Sequence, residues 1–145
     1  MHPAAQRYIN MNFDDQKKVQ IFLCKRALEV WERLVPENLS YQESVAGSTQ
    51  VFDATLPQMA LDAVRSGLDS QNLDARYREP LAALQDEDIQ FSKNAEFAYY
   101  SIRNLYTAHI LYKPADPWLV VNQALSAIGN EDAIVALEEA VRCVS

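Results

Sequence analysis

His109 is the side chain of this sequence best suited to acid–base chemistry, and what surrounds it argues for a quieter role. His2 is the other histidine, and Cys24 and Cys143 are the two cysteines. A catalytic imidazole needs a nucleophile to deprotonate or a carboxylate to orient it. The nearest acids, Glu96 and Asp116, lie more than a helical turn away, whereas Leu105 and Tyr106 stand one turn before His109. A core or rim histidine with its hydrogen bonds satisfied is therefore expected. Asp14 with Asp15, and the triplet Asp86, Glu87, Asp88, bring carboxylates together in sequence. Adjacent positions on a helix diverge, however, and no Glu-x-x-His pair or spaced Asp loop supplies converging oxygens. No serine sits in a G-x-S-x-G elbow, and no Gly-rich loop is available to cradle phosphate. The expectation is a protein that is not an enzyme, with no catalytic residue, no metal site and no cofactor. Both cysteines fall in apolar helical patterns and are expected as free thiols acting as small hydrophobes.

With 49% hydrophobic and 23% charged residues, the chain has the ordinary mixture of a folded domain, and its 145 residues suit one domain. The net charge of −7 is unevenly spread. Residues 1–35 carry six Lys/Arg against four Asp/Glu, residues 36–94 four against ten, and residues 95–145 three against six. No Lys or Arg stands between Arg33 and Arg65, where Glu37, Glu43, Asp53 and Asp62 all lie. Such a surface repels nucleic acid and anionic membranes and favours a basic protein partner. The opening residues lack the apolar core of a secretory signal, and no apolar run is long enough to span a bilayer, so the cytoplasm is the expected location.

Helical spacing dominates, and the expected fold is all-α: a single-domain bundle of about five to seven helices with a long central Tyr-rich helix and a C-terminal helical hairpin. Residues 1–12 are expected as a flexible N-terminus. Asp14 or Asp15 can cap a first helix to about Val35, with Val19, Phe22, Leu23, Ala27, Val30, Trp31 and Leu34 on one face and Pro36 as its stop. Glu37 to Thr55 reads as a loop, with a helical turn near Tyr41 to Ala46. Thr55 and Pro57 open a second helix, which fades at Gly67 and buries Met59, Ala60, Ala63, Val64 and Leu68. Pro80 divides two short helical pieces, Leu73 to Arg78 and Leu81 to Gln85. The acidic triplet leads into a long helix from Asp88 to Tyr112, which presents Ala95, Ala98, Tyr99, Ile102, Leu105, Tyr106 and His109 to the core. Asp116 and Pro117 start a helix whose inward stripe is Trp118, Val121, Ala124, Leu125 and Ile128, and Gly129 ends it. Asn130 then caps a last helix with Ile134, Leu137, Val141 and Val144 inward. The related strings ALEVWERL, ALDAVR and ALEEAVR are unequally spaced and read as generic amphipathic helix, not as a solenoid repeat.

The order ALEVWERLVP, ALDAVRSGL, AEFAYYSIRNLYTAHIL and DPWLVVNQALSAI, in a small acidic helical chain, resembles the helical immunity proteins encoded beside bacterial polymorphic and contact-delivered toxins. The resemblance implies a cytoplasmic inhibitor that covers the active site or substrate groove of a cognate toxin. Independently of it, an acidic patch can steer encounter with a basic groove, and aromatic residues supply interface anchors. Tyr41, Glu43, Asp53, Asp62 and Asp69 are the expected partner-binding residues. Two other functions remain open at this point: a helical adaptor or regulatory module acting by homodimerisation or peptide binding, and a small ligand-binding or catalytic bundle using His109 with tyrosines.

Overall fold

The computed structural model describes residues 2–45, 48–69, 73, 90–114 and 116–144, without the side chains of residues 41–52. Helices α1 (Pro3–Ile9) and α2 (Phe13–Leu34) are followed by strands β1 (Ser40–Val45) and β2 (Ser48–Asp53). Helices α3 (Leu56–Ser66), α4 (Lys93–His109), α5 (Pro117–Ile128) and α6 (Asn130–Val144) complete the described elements. The class is the helical bundle expected, and its C-terminal pair forms the expected hairpin. Of the two short pieces near Pro80, only Leu73 is described, and it is helical and buried. The triplet Asp86, Glu87, Asp88 lies outside the described residues.

The central element is α2, which packs against α1, α3, α4, α5 and α6. Its cap is Asn12, two residues before the acids expected to serve: Asn12 Oδ1 accepts the Asp15 N–H at 2.8 Å, and the Asn12 amide donates back to Asp15 Oδ2 at 3.3 Å. Asp14 and Asp15 therefore lie in the first turn, where negative charge complements the helix dipole. Trp31 is fully buried, stacks on Phe91 with centroids 5.7 Å apart, and donates its indole N–H to Ala54 O at 2.8 Å. It pins the end of α2 to the segment that leads into α3. Leu34, expected inward, is exposed where the helix runs out past the core.

The N-terminus corrects the expectation of a flexible tail. Residues 3–9 form a helix with Ala4, Ala5 and Tyr8 buried, docked on α2 and α6. His2 caps it by accepting the Ala4 N–H at 3.1 Å on its imidazole, and Pro3 occupies the first turn, where its missing N–H costs nothing. Seven residues are too few for a periodic apolar stripe. Two alanines allowing close approach and one tyrosine suffice to dock them.

A second correction concerns Tyr41 to Ala46. Instead of a loop with a helical turn, β1 and β2 pair antiparallel, with Tyr41 opposite Phe52 and Glu43 opposite Gln50. Tyr41, Val45, Thr49, Val51 and Phe52 are β-favouring residues, and pairing satisfies backbone groups that a loop would leave to water. Helix α4 starts at Lys93, capped by Ser92 Oγ, and ends at His109, short of the expected Tyr112, which adopts φ 53°.

The inward stripes of α5 and α6 are also shifted. Val120, Val121, Ala124 and Ala127 are buried on α5, while Trp118, Leu125 and Ile128 are half-buried against the core. On α6 the buried set is Ala136, Leu137, Ala140 and Val141; Ile134 is 42% exposed. The rotation follows from alanine: small faces let α5 approach α2 and α4 closely, and α6 approach α2 and α5, leaving larger residues at the seam. Gly129 joins α5 to α6 at φ 82°, ψ 148°, a conformation essentially restricted to glycine, and Asn94 beside it donates to Ala127 O at 2.8 Å. Among the described residues no helix is long and apolar enough to cross a membrane.

These placements separate the two tryptophans. Trp31→Ala is expected to cost about 3–5 kcal/mol, and Trp118→Ala about 1–2 kcal/mol because only part of that ring leaves water. Urea denaturation followed by circular dichroism checks the order; equal losses would contradict the burial difference. Gly129→Ala should cost about 1–3 kcal/mol from backbone strain alone, read from the same transition.

Candidate functional site

His109 is buried, and its ring Nε2 lies 2.7 Å from Gln20 Oε1. Gln20 Nε2 donates to the Tyr8 hydroxyl at 2.8 Å, and Tyr8 donates to Pro117 O at 2.5 Å. The carbonyl of Pro117 can only accept, so Tyr8 spends its one proton there and must accept from Gln20. The amide orientation follows, with Oε1 facing His109 and the imidazole donating from Nε2. Burial pushes the Tyr8 phenol up to about 12, the hydrogen bond from Gln20 opposing. Burial, and secondarily the charge of Lys17, hold His109 below its ordinary value of 6.5. Phe13 closes over the imidazole edge-on at 5.5 Å. The polar partner of the imidazole is thus an amide rather than a carboxylate, and the relay ends on a backbone carbonyl. Its geometry is that of a structural clasp joining α1, α2, α4 and α5.

Cys24 is buried, and desolvation pushes its thiol up to about 12, against a hydrogen bond with Ser101. A thiol so raised is a packing group. Cys143 departs from its expected apolar position and is exposed on the outer side of α6. Among the described residues no three of His, Cys, Asp and Glu gather closely enough to hold a metal ion.

The acidic candidates separate into different roles. Tyr41 and Glu43 lie on β1, and their side chains fall outside the described residues. Asp53 ends β2 and accepts both the N–H of Thr55, at 2.8 Å, and its hydroxyl, so its carboxylate folds the turn into α3. The Thr55 hydroxyl expected to cap α3 is occupied by this contact. Asp69 accepts the Tyr106 phenol at 2.5 Å and the Leu73 N–H at 3.1 Å, which fastens the end of α3 to α4. Asp62 alone of the three is exposed, on the outer face of α3. It borders a groove of about 270 Å³ that also includes Met59, Ser66 and Leu68, the last 66% exposed.

Two further acids belong to this side of the molecule. Glu32 in the last turn of α2 and Glu37 just beyond Pro36 are exposed, and they flank a groove of about 300 Å³ at the α2–α3 junction. Buried Trp31, Val35 and Ala54 form its floor, and exposed Thr55 and Gln58 complete its lining. The sequence signal for the pair was the proline between them, which turns the chain after α2 so that acids five residues apart face one hollow. Two of the five cations of α2 lie elsewhere: Arg26 and Arg33 line a groove against α6, where Arg26 pairs with Glu139 at 2.9 Å. Charge is therefore sorted across α2, negative toward α3 and mixed toward α6.

The clasp sets two expectations. Tyr8→Phe removes the acceptor of the buried Gln20 amide and the hydroxyl that donates to the Pro117 carbonyl, and should cost about 1–3 kcal/mol in chemical denaturation. Because the folded-state pKa of His109 is lowered, the unfolded chain binds its proton first as the pH falls. The contribution is complete above pH 6.5 and is lost as the pH drops from there through the lowered folded value. His109→Gln should remove that part of the slope in unfolding midpoints between pH 7.5 and the onset of carboxylate titration; an unchanged slope would mean the imidazole titrates freely. Comparison of the chain with models of protein families, with curated proteins and with solved structures returns no match.

Proposed function

We propose that this chain is an immunity-type protein that acts in the cytoplasm, binding a cognate toxin through the acidic side built on α3 and the α2–α3 junction. The observation that carries the proposal is the distribution of charge: Glu32, Glu37 and Asp62 are exposed on this side, with Arg65 the one cation of α3, while Arg26 and Arg33 line the α2–α6 groove. A basic groove that normally receives a polyanion would meet a matching negative surface, which speeds encounter and then blocks substrate. Leu68, exposed beside Asp62, offers apolar area that a charged patch alone lacks. Affinity in such interfaces comes chiefly from a few well-packed anchors, so charge and apolar surface must be adjacent. The likeness of helix order and sequence texture to helical immunity proteins points the same way.

A homodimerising adaptor is the second reading. It is favoured by Ile134 and Val135, 42% and 54% exposed at consecutive positions of α6. These apolar side chains lie among the acids Glu131 and Asp132, on a different helix from Asp62, so the two readings make different demands on mutation.

The test is co-expression with the product of the adjacent open reading frame. Rescue of growth from a toxic neighbour supports immunity, and a neighbour with no toxicity and no binding removes it. Asp62→Lys should weaken the complex about tenfold, mostly through slower association at low salt. Its helical melt should stay within about 0.5 kcal/mol of the parent, since an exposed charge is removed. Reversal at Asp53 is unsuitable as a clean probe, because that carboxylate also holds Thr55. Unaltered affinity of the Asp62→Lys variant would exclude α3 from the interface.

A further inference from the structure

The groove at the α2–α3 junction has a composition that selects its occupant. Its floor, Trp31, Val35 and Ala54, is apolar and buried, and its rim carries the exposed carboxylates of Glu32 and Glu37. Thr55 and Gln58 add a hydroxyl and an amide to its lining. A long cationic side chain is the complement of this arrangement: its methylene stem lies on the apolar floor while its head reaches the acids. A guanidinium suits it better than an ammonium, because a planar fork can bond two carboxylates at once. Among the described residues that line the groove, none is a cation. Arg33, adjacent to Glu32 in sequence, lines the α2–α6 groove on the other side of the helix, and no Lys or Arg follows until Arg65.

We propose that this groove receives one arginine side chain from a basic segment of the partner protein. The proposal rests on the immunity reading and gives it a specific contact. The hollow is held open in advance, since the Trp31 indole N–H is bonded to Ala54 O at 2.8 Å and the Trp31 ring is packed on Phe91 and Tyr99. Little ordering is then required when the guest enters. The α2–α6 groove lacks such selectivity: Arg26 and Arg33 share it with Glu29, Asp132 and Glu139, so neither sign of ligand is preferred.

The same indole bond supplies a reporter. In the isotope-labelled full chain, titration with an oligo-arginine peptide should move the Trp31 indole N–H and the Ala54 and Gln58 amide signals saturably. An oligo-glutamine peptide should leave them in place. The Glu32→Gln/Glu37→Gln double variant should bind the arginine peptide about tenfold more weakly, with its helical melt serving as the control for folding. Movement of these signals on simple concentration, without peptide, would assign the groove to a second copy and overturn the proposal. So would equal response to oligo-glutamine, an unmoved indole, or undiminished binding by the double variant. Failure here is distinguishable from failure of the function. A toxin complex weakened by Asp62→Lys but indifferent to Glu32 and Glu37 keeps the immunity reading and discards the groove. Saturable binding of oligo-arginine without any toxic neighbour does the reverse.

Discussion

Gln20 is a polar side chain placed where a helical bundle ordinarily keeps leucine, and the arrangement of four helices follows from satisfying it. Buried amides are costly unless both ends are bonded, and this one is bonded to Tyr8 on one side and His109 on the other. Tyr8 in turn needs an acceptor, which Pro117 supplies at the start of α5. A slip of any of these helices by one residue would strand at least two buried polar groups. Apolar contacts tolerate small shifts, whereas hydrogen bonds at 2.5 to 2.8 Å do not. The clasp thereby sets where α1 docks, and with it the register of α2 against α4 and α5.

From that anchored end, at Gln20, the 22-residue α2 runs eleven residues on to its other fixed point, Trp31. One helix thus transmits the position of the clasp to the α2–α3 junction. Ala54, bonded to Trp31, follows directly on Asp53, whose carboxylate turns the chain into α3. At the far end of α3, Asp69 is tied to Tyr106 on α4. Helix α3 is therefore held at both ends by polar bonds to the rest of the bundle, and its one acid, Asp62, is carried on a rigid element.

The parts of this architecture that periodicity could reveal were those made of long apolar stripes and strong punctuation. Pro36 ends α2, Gly67 and Gly129 end α3 and α5, and Asp116 with Pro117 starts α5, all as sequence chemistry requires. What escaped depended on pairing across distance. Helix α1 carries too few residues to show a period, and its burial comes from a tyrosine whose partners are Gln20 and Pro117. The hairpin is stabilised by cross-strand bonds that a single strand does not display. Ile134 matched a helical stripe, yet the smaller Ala136 and Ala140 took the inward face, because close approach favours small residues. Among the acids, nothing local distinguishes Asp69 from Asp62. Their difference is made by Tyr106, 37 residues beyond Asp69. Glu32 and Glu37 were legible as charges, but their shared hollow became visible only with Trp31 and Ala54 beneath them.

That division bears on how a surface of this kind can bind tightly. Exposed carboxylates gain little from pairing in water, because solvent and salt screen them. Two features raise their value here. Glu32 and Glu37 border a hollow lined by apolar residues already shielded from water, so ionic contacts made beside them are less screened than on an open surface. The floor is held by an internal hydrogen bond, so the geometry exists before the guest arrives. Asp62, out on α3, has neither advantage and is suited to steering at long range. Acids with the same formal charge thus differ by what lies beneath them: Asp53 and Asp69 build the frame, whereas in the proposed complex Asp62 would attract and Glu32 with Glu37 would hold.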